Sequence, residues 1–125
     1  MVRPVPAAEV DAVWPKVKDW LEQACHRSGD QETIEGLYQM VRGGRGYILV
    51  ELDGGAAILQ RDADYCHIVS MGGKDLLKQV PALMSVWRHI ADATGCVGLS
   101  LKGRKGWARV LRPYGFSYKN GYLET

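Results

Sequence analysis

Residues 65–101 read YCHIVSMGGKDLLKQVPALMSVWRHIADATGCVGLSL, and the periodicity changes twice along them. Residues 65–71 read as a β-strand, closed by Gly72-Gly73. Leu76, Val80, Leu83, Met84, Trp87, Ile90 and Ala91 then follow at helical spacing, with Asp75 placed to cap the helix and Thr94-Gly95 to end it. Pro81 lies inside this pattern, so the helix either begins near Val80 or is kinked there. Residues 96–101 are apolar again. A strand reached through a helix pairs parallel with the strand before it, so the stretch predicts a β-α-β unit.

Upstream, residues 47–52 and 56–60 are β-rich and flank Asp53-Gly54, a hairpin signal. Arg61-Asp62-Ala63-Asp64 makes a polar turn into the strand at 65, which gives an antiparallel meander. Before it, Ile34, Leu37, Tyr38 and Val41 form one helical face, ended by Gly43-Gly44. Ser28-Gly29-Asp30-Gln31 has the form of a capping box, and Asp30 is the other candidate N-cap. Val10, Val13, Trp14, Val17, Leu21 and Ala24 stand at offsets 0, 3, 4, 7, 11 and 14, again one helical face. Pro15 fits best as a first-turn proline after a turn over 9–14; a single kinked helix is the alternative. Residues 2–5, with Pro4 inside and Pro6 beyond, suit an edge strand. Downstream, 106–111 is a short helix, and 115–118 and 122–124 flank the hairpin signal Asn120-Gly121. The order is β-α-α-β-β-β-α-β-α-β-β: an α/β (α+β mixed sheet) architecture with helices on both faces.

The 125 residues predict one domain spanning 1–125. Such a chain buries roughly two thirds of its unfolded surface and needs no metal or disulfide to fold. Cys25, Cys66 and Cys96 are odd in number, and His26, His67 and His89 lack metal-ligand spacing, so no metal site is expected. The N-terminus, with Arg3, Pro4 and Pro6, has no apolar core segment, and no apolar run approaches the roughly 20 residues of a membrane span. The expectation is a cytoplasmic protein. Charge is uneven. Residues 93–123 carry six bases (Lys102, Arg104, Lys105, Arg109, Arg112 and Lys119) and no acid, a candidate anion-binding surface.

The element order resembles the GNAT N-acetyltransferase superfamily over essentially the whole chain. Gly95-Cys96 leading into a strand, then a short helix ending in Tyr114-Gly115-Phe116, looks like that family's final β-α-β unit. Met71-Gly72-Gly73-Lys74-Asp75 and the segment from Gly103 to Leu111 look like small GNAT-like proteins of tailed bacteriophages. The resemblance implies acetyl-CoA as cofactor and an amine as acceptor. It implies cofactor-binding residues Val69, Ser70, Met71, Gly72, Gly73, Lys74 and Asp75: a strand holding the pantetheine arm over 68–71, then a phosphate loop over 72–75 running into Leu76. The opposite wall is residues 99–101.

The same resemblance marks departures. The family's phosphate loop reads Arg or Gln, two residues, Gly, one residue, then Gly or Ala, and its last two positions fall near Leu76 and Lys78. The tyrosine that protonates the departing thiolate lies four residues before the Gly-Phe, here Leu111. The asparagine that often follows the last core strand maps to Arg104, and Tyr114 is the remaining catalytic candidate. Three functions stay open: an acetyl-CoA-dependent N-acetyltransferase of phage type acting on an unknown amine in the cytoplasm, that of the host if phage-encoded; a non-catalytic GNAT-like phage protein acting in assembly or binding a host factor; or a nucleic-acid-binding module using the basic C-terminal third. In the last, Trp107 between Lys105 and Arg109 suits base stacking, against the plainer role of anchoring its helix to the core.

Overall fold

Seven strands form one sheet in the order β1-β2-β3-β4-β5-β7-β6, with a parallel pair, β4 and β5, inside an otherwise antiparallel arrangement. The computed structural model describes residues 2–28, 33–62, 64–102, 105–119 and 122–125, with 26–28, 62 and 105 by backbone alone. The strands are β1 (Arg3–Val5), β2 (Tyr47–Leu52), β3 (Gly55–Asp62), β4 (Tyr65–Gly73), β5 (Gly98–Leu101), β6 (Ser117–Lys119) and β7 (Tyr122–Glu124). The helices are α1 (Val10–Ser28), α2 (Ile34–Gly43), α3 (Leu76–Ala93) and α4 (Lys105–Leu111). This is the predicted order, with β1 at an edge where Pro4 costs no ladder bond.

The sheet is covered on both sides. Leu49, Ala56 and Ile58 pack with Val10, Trp14, Val17, Leu21, Leu37 and Val41 of α1 and α2. Their strand neighbours Val50, Ala57 and Leu59 pack with Val80, Leu83, Trp87 and Ile90 of α3, and Leu111 and Phe116 join that second cluster. Because side chains alternate across a strand, burial on both faces requires the unbroken apolar runs seen at 48–50 and 56–59.

Pro15 departs from its favoured first-turn reading, and Pro81 lies inside its helix, the second of the two positions the sequence left open. α1 is a single helix from Val10 with Pro15 inside it, and α3 runs unbroken from Leu76 with Pro81 inside it. Each proline is the sixth residue of its helix and exposed. Burial of Val10 and Trp14 is worth about 1.5–3 kcal/mol each, enough to offset a proline penalty of roughly 3 kcal/mol. The N-cap of α2 is Thr33, whose Oγ1 accepts the Gly36 N–H at 3.0 Å. Ser28 is the last residue of α1, so it does not start the next helix; Gly29, Asp30 and Gln31 lie outside the described residues. So do Ala63 of the expected polar turn and Asn120-Gly121 of the last hairpin, whose strands pair antiparallel as expected. No described helix is long and apolar enough to cross a membrane.

Candidate functional site

The parallel pairing of β4 with β5 covers Tyr65↔Gly98, Cys66↔Leu99, His67↔Ser100 and Ile68↔Leu101, and there β5 ends. β4 continues to Gly73, held by β3 on its other side. Residues 69–73 therefore present a strand edge with no β5 partner; they overlap the stretch 68–71 that the family resemblance assigns to the pantetheine arm, of which Ile68 still pairs with Leu101. A bulge lies at the same point. Ile58 pairs with Ser70 and Leu59 with Ile68, so Val69 is the extra residue. The bulge reverses the alternation. Cys66 and Ile68 face α3, Val69 packs toward α1, and Met71 faces α3 again. Gly72 is thereby turned toward α1.

The two glycines are strand residues: Gly72 pairs with Ala56 and Gly73 with Gly55, so the expected loop over 72–75 shrinks to Lys74 and Asp75. Their lack of a side chain has a local cause. A Cβ on Gly72 would lie 2.2 Å from the Trp20 carbonyl oxygen of α1, and one on Gly73, at φ +144°, would lie 2.4 Å from the Gly55 Cα. The glycines are required by the protein's own backbone.

The Lys74 N–H donates to the Gly54 carbonyl at 2.8 Å, and the Lys78 N–H to the Asp75 carbonyl at 3.0 Å. Asp75 sits in the left-handed region (φ 52°, ψ 41°) at the N-cap, and its side chain makes no cap hydrogen bond, contrary to the capping role expected of it. The N–H groups of Leu76 and Leu77, in the first turn of α3, have no partner within the helix and carry its positive dipole end. Gln79 folds back over this end: its amide nitrogen donates to the Lys74 carbonyl at 2.8 Å. Its Oε1 is buried and has no hydrogen-bond partner among the described residues. A strand edge with no β5 partner thus leads into a helix N-terminus over which Gln79 folds.

Leu111, at the position of the family's tyrosine, is buried in the α3-side core. Tyr114 lies in a 3-10 turn (Arg112–Tyr114), half-buried against the same core, and its carbonyl accepts from Arg88 Nη2 at 3.3 Å. Trp107 packs against that core as an anchor for α4. Lys102, Arg109 and Arg112 are exposed; Arg104 and the Lys105 side chain lie outside the described residues.

Sequence reasoning missed two features. Gln79 is one. The other is a pair on adjacent strands: His67 Nδ1 lies 2.9 Å from Ser100 Oγ, with Tyr122 edge-on to the imidazole at 5.8 Å between ring centroids. Burial pushes the neighbouring Cys66 thiol up to about 11, with Cys96 adding to the shift and a hydrogen bond to Trp87 opposing it, so Cys66 stays a thiol. Among the described residues no group of three or more His, Cys, Asp or Glu side chains could hold a metal ion.

A mixed sheet whose parallel centre opens toward a helix N-terminus defines the fold of the GNAT N-acetyltransferases. The chain superposes on the PaiA N-acetyltransferase of Thermoplasma acidophilum, solved with coenzyme A, with a TM-score of 0.63 at 11% identity, covering 100% of this chain and 98% of that one. For a ribosomal-protein-alanine N-acetyltransferase from Brucella melitensis the TM-score is 0.68 at 12% identity, with coverage of 100% and 98%. A GNAT family acetyltransferase from Brucella melitensis, solved with acetyl-CoA, gives 0.60 at 13%, with coverage of 100% and 86%. No family model matches the chain, and no curated protein matches it in sequence. What is shared at these identities is the fold.

Proposed function

We propose that this protein binds acetyl-CoA along the free edge of β4 and transfers the acetyl group to an amine. The observation that carries the reading is the end of the β4–β5 ladder at Ile68↔Leu101 while β4 runs on to the N-terminus of α3. The backbone of Val69, Ser70 and Met71 would hold the pantetheine arm. The α3 N-terminus and Lys74 would hold the phosphates. Acetyl-CoA supplies a thioester that an amine attacks directly. Leu111 offers no proton to the departing thiolate, and a thiolate is a tolerable leaving group without one; Tyr114 is the nearest hydroxyl in sequence. Side chains at Leu76 and Lys78, where the family's loop has small residues, make this a degenerate phosphate loop, and with the motifs at 71–75 and 103–111 they support a phage-type protein working in the cytoplasm of the host.

Calorimetric titration with acetyl-CoA tests the reading. Micromolar binding, weakened about tenfold or more by Lys74→Glu, is the expected result. Lys74 is exposed, so the variant keeps the fold, whereas a side chain at Gly73 would break it. No binding at millimolar acetyl-CoA would sink the proposal. It would favour instead a non-catalytic GNAT-like protein that works through a protein partner, the reading that the burial of Leu111 supports. DNA binding that falls steeply with salt would point to the basic C-terminal third, where Trp107 is half-buried against the core.

A further inference from the structure

The helices on the two sides of the sheet differ in charge. α1 and α2 are balanced, with Asp11, Asp19, Glu22 and Glu35 against Lys16, Lys18, Arg27 and Arg42. Residues 76–123, from the start of α3 into β7, carry eight bases and a single acid, Asp92, while the whole chain is only +2. The ion pairs found among the described residues, Arg3–Glu9, Arg3–Glu51, Lys16–Glu51 and Arg42–Asp11, belong to the first part of the chain. Lys78, Arg88, Lys102, Arg109 and Arg112 are exposed, and none has an acidic partner among the described residues. These cations lie on one side of the sheet. α3 and α4 pack on the same core, and Arg88 Nη2 reaches the Tyr114 carbonyl at 3.3 Å, in the same 3-10 turn as Arg112. Tyr118 pairs with Leu123, whose side chain lies in that core, so its ring stands on this side too, 46% exposed. Cations without acidic partners hold phosphates, and an exposed ring beside them stacks an unpaired base. A duplex keeps its bases stacked on one another and away from such a ring, and an acidic peptide needs only the charge.

We propose that the α3–α4 face binds single-stranded nucleic acid without regard to sequence, with phosphates on Arg88, Arg109 and Arg112 and a base on Tyr118. This is a second function, and it does not depend on acetyl transfer. Trp107, half-buried against the core, anchors α4 and takes no part in it.

The test follows the anisotropy of a short, labelled oligothymidylate as the full chain is added, at several salt concentrations. Micromolar binding is expected at low salt, with log affinity falling against log salt at a slope of about −2, the value for three phosphate contacts on a single strand. Arg109→Glu should weaken binding about fivefold or more and flatten that slope. Lys18→Glu makes the same change in net charge on exposed α1 and should leave the affinity within about twofold. Tyr118→Ala should weaken binding about fivefold or more without changing the slope, and Tyr118→Phe should keep it, because the ring and not the hydroxyl stacks. An unlabelled duplex of the same length and polyglutamate should each displace the probe less well than unlabelled oligothymidylate. No binding at low salt would overturn the proposal. So would equal weakening by Lys18→Glu and Arg109→Glu, or a Tyr118→Ala protein that binds as the native one does. Polyglutamate that competes as well as the oligonucleotide would overturn it in favour of an acidic protein partner, and a duplex that competes better would overturn the single-strand assignment. If Tyr118→Ala fails to fold, the two competitions decide.

Discussion

The two ends of the sheet are built differently. β2, β3 and β4 are six, eight and nine residues long and are packed by helices on both faces. β5, β6 and β7 are four, three and three residues long, and only their α3 side carries core residues such as Leu99, Leu101 and Leu123. The long half can hold a position; the short half leaves groups uncovered. The candidate site lies on the seam, where β4 belongs to the rigid half and β5 stops early. A site on a well-packed strand keeps its geometry, and the low-stability side supplies access.

The largest expected effect comes from breaking the rigid half at the seam. Gly72→Val places atoms against the Trp20 carbonyl and Ala24 of α1, so α1 must lift. A loss above about 4 kcal/mol in urea unfolding, or no folding, is expected. By contrast Gly115→Ala, at φ +91° with nothing within 4 Å of the added Cβ, should cost only about 1 kcal/mol. Equal losses would mean that the seam is no tighter than the open half.

Next, Ile58→Ala should cost about 2–5 kcal/mol, since Ile58 is fully buried between β3 and α1. Native-state hydrogen exchange should show β3 amides opening only with global unfolding and β6–β7 amides opening earlier. Uniform protection across all seven strands would erase the distinction.

Glu51 gives a smaller effect with a pH signature. Its carboxylate accepts from Lys16 Nζ at 2.6 Å and Arg3 Nε at 3.1 Å, tying β1 and α1 to β2. The Lys16 hydrogen bond, aided by Arg3, holds its pKa below the usual 4.5 against the opposing effect of burial. A lowered folded-state pKa contributes stability that is complete above the unfolded value and lost as pH falls through the folded one. Glu51→Gln should therefore cost about 1–3 kcal/mol at neutral pH, and the gap to the native protein should close under acid. A gap that stays constant with pH would show that packing, not charge, is what Glu51 supplies.

The smallest effect sharpens the seam itself. Asp75→Gly relieves a left-handed residue and removes an anion from the α3 N-terminus. Relief of the left-handed backbone is opposed by the lost Asp–dipole attraction and by the freer unfolded chain, so stability in thermal or urea unfolding should stay within about 1 kcal/mol of the native protein while acetyl-CoA binding tightens several-fold. Unchanged binding would place the phosphates elsewhere.

Much of this was legible in the sequence. The unbroken apolar runs at 48–50 and 56–59 mark strands covered on both faces, and the helical stripes of α1 and α3 were plain despite their prolines. The sequence left each proline as either a helix start or an interior position, because local preference favours a helix start and only core burial decides for the interior. Thr33 was missed as N-cap because a stronger local signal stood just before it. The bulge left one trace: Cys66, Ile68 and Met71 break the period of two. His67 and Ser100 are 33 residues apart, and nothing local joins them.

By itself, then, the sequence determined the order and kind of the elements, the single sheet with helices on both faces, and the strand that leads into α3, because these follow from local periodicity and turn chemistry. Tertiary structure decided how far β5 accompanies β4, which way Gly72 faces, what fills the space beside it, and which side chain meets His67. Each depends on register between strands and on the approach of α1 to the sheet, and these are set by contacts between residues far apart in the chain.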